Sequence, residues 1–439
     1  MNRTPFFAVA KQTGAKVGDI RNFAREGMPR TVVRQERKDK RVKKQVPYQK
    51  KIHRHRRILF YRILFFVILI ALILFFVIRQ YKNKQYTDYT IISSTPVLMT
   101  SQSNQMRLGD AILIYSKDGA HCLDKKGEVL WNQTYQMQDP MVRVCGDIVA
   151  IGDYGRRDIY VQSSKEILGH FTTLMPVESM AVASNGNVVV TMIDVDATKI
   201  YIYTPTGELL YEGEATMHGS GYPTAISLSP GGQLMAISYL QADQETKSIK
   251  CHVAFYNLGE VGDNYADQDR LVSAYNYTDS LVPYLQFMDD TTSFAVSEDR
   301  LMFYRGRQTP ESAGEYFLTN REVLSVYHND SYVGLVFYGG EEASSLEGEE
   351  LTALYTIELY NANAKKVNSI DFHIEYTNIF FDSECIVIYN EQECEIFTMT
   401  GKLKYRGSFE KPIRVLTSGG VAYRYEVLTN DSLDVIQLK

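Results

Sequence analysis

Two hydrophobic patterns divide the chain. From 58 to 78 the residues read ILFYRILFFVILIALILFFVI, an apolar run with one charge, Arg62. At about 1.5 Å per residue such a run makes roughly 31 Å of helix, which matches a hydrocarbon core of about 30 Å. Beyond about Tyr86 the pattern changes: apolar runs of 5 to 9 residues alternate with Gly, Asn, Asp and Ser, with no long helical period. The chain therefore predicts one membrane-spanning helix over 58–79 and strands after it.

The strand region repeats. CLDKKGEVLW (122–131), YTPTGELLYEG (203–213) and FTMTGKLKYRG (397–407) share a hairpin with Gly127, Gly207 and Gly401 at the same place. The turn there needs a positive φ, which glycine adopts without a steric cost. A second unit, a short strand, a turn and an apolar strand, occurs seven times, starting at Met141, Glu178, Thr224, Pro283, Glu322, Thr377 and Ile413. Two of the gaps carry polar insertions, near 260–270 and 339–351. Without them the spacing approaches the roughly 40 to 45 residues of a four-stranded propeller blade.

A further unit from Pro96 through Ala111 to Trp131 precedes the seven, giving an all-β propeller of eight blades. The last unit supplies three strands, and YTIIS at 89–93 is a spare strand that would complete it and leave no open edge. Seven blades, and a two-sheet sandwich or a pair of smaller β domains, are the competing arrangements.

SLSPGGQLMAIS (227–238) resembles the strand-turn-strand of WD-repeat and TolB-type propellers, and CLDKKGEVLW resembles the blade signature of pyrroloquinoline-quinone-like repeats, with a turn one residue shorter. The whole layout resembles an uncharacterised family of bacterial single-pass membrane proteins with an extracytoplasmic WD-repeat/PQQ-like β-propeller. The resemblance implies blades, and blades of this kind host enzymes, receptors and scaffolds alike.

Charge orders the parts. Residues 1–57 carry 18 Lys/Arg against four acids, whereas 80–439 carry 27 basic and 48 acidic groups. Lys50, Lys51, Arg54, Arg56 and Arg57 directly precede the apolar run, so the positive-inside rule leaves the N-terminus cytoplasmic and the larger part extracytoplasmic. Arg62, one turn inside, can snorkel to the headgroups, and Arg79 closes the far end. The basic region exceeds that of a cleavable signal, so the segment reads as a signal anchor of a type II cell-membrane protein. Four parts follow: a basic, mostly disordered tail (1–57), with a short amphipathic helix around 17–26; the anchor (58–79); a short linker (80–88); and the propeller (89–439). A linker of about nine residues reaches roughly 30 Å and keeps the ring near the bilayer. The tail is expected to meet anionic headgroups; it lacks the aromatic interleaving of nucleic-acid binders.

Composition changes little in this picture. The 31 tyrosines favour pleated, half-buried surfaces. Five cysteines (Cys122, Cys145, Cys251, Cys385, Cys394) are too few and too scattered for a disulfide framework or a zinc site, although Cys385 and Cys394 share a hairpin where one bridge is conceivable. A quinone-dehydrogenase reading needs tryptophans in most blades, and Trp131 stands alone. The chain has no GxSxG, HExxH, Walker or GxGxxG motif, and the outer histidines (His121, His170, His218, His252, His328, His373) are scattered. Asp194 and Asp196 have spacing that could offer oxygens to Ca²⁺, without the glycine and distal acid of an EF-hand. The acidic stretch 341–350 is a soluble loop where partner contacts can lie.

The expected function is a non-catalytic binding or scaffold module for an envelope protein or other envelope component, with no cofactor, no catalytic residue and no identifiable small-molecule ligand. The rival readings are a propeller enzyme with a central-channel site for glycans or lactones, and a single-pass sensor signalling through the tail.

Overall fold

In the computed structural model, the described residues are 48–97, 103–242, 249–265, 269–278, 280–318, 321–339, 353–382 and 385–439. Most of the basic tail, the helix considered at 17–26 and the acidic stretch 341–350 lie outside them.

Helix α1 runs from Tyr48 to Asn83. It carries Lys50, Lys51, Arg54, Arg56, Arg57, Arg62 and Arg79, and its stretch Arg54–Val77 is long and apolar enough to cross a membrane. The helix continues past Arg79 because Arg, Gln and Lys in RQYKN are good helix formers.

Residues 80–439 form a separate unit. It contains eight antiparallel four-stranded sheets in simple meander order. Seven are built from consecutive strands, over 104–134, 140–172, 177–215, 222–278, 284–317, 325–372 and 378–408, and are called blades 1 to 7 here. Blade 8 combines Val415–Ser418, Arg424–Leu428 and Ser432–Leu438 with the N-terminal strand Tyr89–Pro96 as its outermost member. The eight-bladed reading therefore holds, and so does the closure expected from YTIIS. First strands of neighbouring blades approach one another and form the inner wall.

The hydrophobic core lies between the blades. The second strand of each blade is a near-continuous apolar run because both faces are covered; all six residues of Ile148–Asp153 are buried. Leu113 and Trp131 of blade 1 pack on Val149 and Ile151 of blade 2, and Val387 and Tyr405 of blade 7 pack on Val427 and Ile436 of blade 8. Ile112, Ile114 and Leu123 then pack on Val415, Leu428 and Leu433, joining blade 8 to blade 1 and closing the ring.

Gly127, Gly207 and Gly401 lie at φ +81°, +89° and +84° in the turn between the third and fourth strands of blades 1, 3 and 7. In each turn the side chain four residues before the last turn position, Asp124, Thr204 or Thr398, accepts a hydrogen bond from the backbone N–H of Glu128, Glu208 or Lys402. The glycine also meets the preceding blade: a Cβ on Gly207 would lie 2.6 Å from Phe171 Cβ. Blade 6 has the same turn with Ala364 in the glycine's place at φ +54°. There the Asn361 side chain accepts from the N–H groups of Asn363 and Lys365.

One detail departs from the expected layout. The linker is shorter than 80–88, because Tyr86 is buried, bridges Tyr405 in parallel and donates its N–H to the Lys404 carbonyl at 2.7 Å. None of the five cysteines is in a disulfide. Cys385 and Cys394 do share a hairpin, but they face Thr398 and Tyr389 at its opposite ends, so the register keeps them unbridged.

Candidate binding surface

Alternating strand direction sorts the connections of a meander blade. Turns between first and second and between third and fourth strands lie at one end of the ring; turns between second and third strands and the links between blades lie at the other. The chain enters at the first of these ends, where Tyr86 docks near the base of the fourth strand of blade 7. Two inter-blade clefts lined by described residues open at the second.

The larger cleft, about 470 Å³, lies between blades 5 and 6. Its lining comes from three segments: Pro283 and Tyr284, where the chain enters blade 5; Val296, Ser297 and Glu298, at a turn of blade 5; and Arg321, Glu322, Val323 and Val326, where the chain enters blade 6. The floor is apolar. Tyr284 leans on the buried Phe294 ring at 5.7 Å, and Phe294 meets the edge of His328 at 5.4 Å.

Polar anchors hold the walls in place. Asp299 accepts from Ser280 Oγ (2.9 Å), Ser297 Oγ (2.7 Å) and Arg300 Nε (3.0 Å), tying the link from blade 4 to the blade 5 turn. The bonds from Arg300 hold its carboxyl well below the usual carboxylate range, against the opposing effect of burial. On the other wall, Arg321 lies 3.9 Å from the Phe337 ring centroid and pairs with the buried Glu358 at 2.5 Å. Lys366 Nζ also reaches Glu358 at 2.6 Å, and Tyr360 donates its hydroxyl to it at 2.5 Å. Burial pushes the Glu358 carboxyl up, but these three partners outweigh it and the net shift is downward.

The rim is different. Glu298 and Glu322 are exposed, and neither has an ion-pair partner among the described residues. An apolar floor with unpaired carboxylates around it suits an amphipathic ligand with positive charge.

Residues 82–438 match the sequence family described as "Family of unknown function (DUF5711)". The chain belongs to that family. No curated protein matches it. Among solved structures, this DUF5711 chain is similar to BamB from Moraxella catarrhalis, with 14% identity over 80% of this chain and 98% of that one and a TM-score of 0.45. The C-terminal WD40 domain of Sif2 gives 9% identity, 81% and 99% coverage and a TM-score of 0.49. The Pan2 WD40 domain of Neurospora crassa gives 9%, 68% and 87%, and 0.40. Identities this low transfer no role, and the ring rests on the strand pairing described above.

The second cleft of this DUF5711 member, about 350 Å³, lies between blades 1 and 2 and is polar. Its carboxylates are engaged. Asp153 accepts from the N–H groups of Gln138 (3.0 Å) and Asp139 (2.7 Å), and Asp158 accepts from Thr172 Oγ1 (2.9 Å) and lies 3.1 Å from His170 Nε2. The His170 ring stacks on Tyr160 at 4.3 Å. The Asp153 bonds fasten the link from blade 1 to blade 2, while the Asp158 and His170 contacts stay within blade 2.

Asp194 and Asp196 occupy an exposed turn of blade 3, at the same end as both clefts. Asp194 Oδ1 accepts the Val195 N–H at 2.8 Å, and among the described residues no group of three or more His, Cys, Asp or Glu side chains could hold a metal ion. The described outer histidines are spread around the ring; His328 and His373 share blade 6, but one ends its first strand and the other follows its last. Pro283 and Glu322 mark repeat starts in the sequence, but no residue of the blade 5 and 6 cleft reads as a site residue there, since its lining is assembled from segments far apart in the chain.

Proposed function

We propose that this protein is a membrane-anchored binding or scaffold module: a type II chain whose basic tail is cytoplasmic and whose extracytoplasmic propeller holds an envelope protein or another envelope component and performs no reaction. The observation that carries this reading is the blade 5 and 6 cleft, an apolar recess with walls fixed by the Asp299 and Glu358 clusters. A recess held open by a closed ring loses little conformational entropy when a partner side chain enters it. The helical stretch Arg54–Val77 supplies the anchor, and its flanking basic residues set orientation and meet anionic headgroups. Proteolysis of intact cells tests the topology: the propeller should be removed and the tail spared. Cross-linking in living cells, followed by mass spectrometry of what is attached, tests the binding role. A partner-free propeller at native abundance, or a cytoplasmic one, would refute it.

A further inference from the structure

The cleft between blades 5 and 6 also constrains what enters it. Its apolar part is formed by Val296, Val323, Val326 and the Tyr284 ring, and its volume of about 470 Å³ exceeds the needs of a methyl-sized group. Arg321, the cation in the wall, is already committed to Glu358 and to the Phe337 ring. Glu298 and Glu322 flank the opening from opposite blades with no ion-pair partner among the described residues. The unit carries 27 basic against 48 acidic groups over 80–439, so its long-range field favours the same sign of ligand.

We infer that the cleft receives an extended polypeptide segment of a partner in which one bulky apolar side chain is flanked by lysine or arginine. The apolar side chain would fill the recess over Val323 and Val326, and the flanking cations would pair with Glu298 and Glu322. This inference rests on the binding reading above and adds the partner's chemistry. Buried apolar anchors supply most of the affinity at such sites, and rim charges supply selectivity and rate.

The test uses the full-length protein in lipid nanodiscs and three fluorescent peptides read by anisotropy: Lys-Leu-Lys at the centre, Glu-Leu-Glu, and Lys-Ser-Lys. The lysine-flanked leucine peptide should bind at least about tenfold tighter than either of the others, with an affinity that falls as salt is raised. Glu298→Lys combined with Glu322→Lys, both at exposed positions, should reverse the preference between Lys- and Glu-flanked peptides. Val323→Asp should abolish binding while thermal unfolding shows the ring intact. Equal binding of the three peptides, no binding, or binding indifferent to the charge reversal overturns the inference. In-cell cross-linking separates this from the broader reading: a partner attached to the propeller with no peptide preference removes only the cleft chemistry.

Discussion

Tyr89 pairs with Leu438, so the first strand of the ring is hydrogen-bonded to the last. The pairing continues to Pro96 opposite Ser432 and is reinforced where Ser94 donates its hydroxyl to Asp434. Closure makes the two ends of the domain interdependent. Ile436 is buried between blades 7 and 8, and Ile436→Ala should cost about 2–5 kcal/mol. Its cross-strand neighbour Ile91 is 55% exposed, and Ile91→Ala should cost under about 1 kcal/mol. Denaturant unfolding of the two variants checks this; equal losses would mean that the closing strand does not pack as described.

Blade 6 makes its turn with the wrong residue. Ala364 sits at φ +54°, a conformation costing a non-glycine residue about 1–2 kcal/mol, partly offset because glycine gives the unfolded chain more freedom, worth about 0.4–1 kcal/mol. Ala364→Gly should therefore stabilise the protein by roughly 0.5–1 kcal/mol. Gly207→Ala should destabilise it by more than about 1 kcal/mol, because it adds a contact with Phe171 to the same strain. Thermal unfolding of both variants distinguishes these signs.

The missing glycine also shows where sequence reading stops. Seven two-strand units and the closing strand were legible because apolar second strands and punctuated turns repeat along the chain. The blade 6 turn, YNANAKKV at 360–367, was not recognised as a fourth copy since its marker residue is absent. Tyr86 carries no pattern, as a single aromatic between polar residues has no period, yet it docks on blade 7. The cleft between blades 5 and 6 was invisible for a different reason. Pro283, Val296 and Val323 come together only when blade 5 packs on blade 6, and nothing in their local sequence announces it.

Two buried carboxyls should give opposite pH signatures. Glu358 is held below its ordinary value by Lys366, Tyr360 and Arg321 against the upward push of burial. It therefore stabilises the fold above the usual carboxylate range, and this contribution is lost as pH falls through its lowered value. Glu426 is pushed up by burial, so its contribution is present at low pH and lost as pH rises through its raised value. At pH 7, Glu358→Gln should lower the melting temperature and Glu426→Gln should raise it. Both differences should shrink once the carboxyls are protonated, which melting curves from pH 3 to 8 would show.

The thiols should be inert in the folded protein. Burial pushes Cys122 up to about 12 and also raises Cys145 and Cys394. A thiol reagent at pH 8 should label the native propeller slowly, at the half-buried Cys145 first, and all five cysteines after denaturation. Identical migration with and without reductant should accompany this; a reductant-dependent shift would contradict the absence of disulfides.

The account depends most on the end of the ring at which partners are held. A photoreactive amino acid placed in living cells at Glu322, on the cleft rim, and separately at Lys165, at the opposite end of blade 2, puts that claim to one measurement. The account predicts a discrete adduct from position 322 that disappears with Val323→Asp, and none of the same mass from position 165. Adducts from 165 alone, or an adduct at 322 indifferent to Val323→Asp, would contradict it.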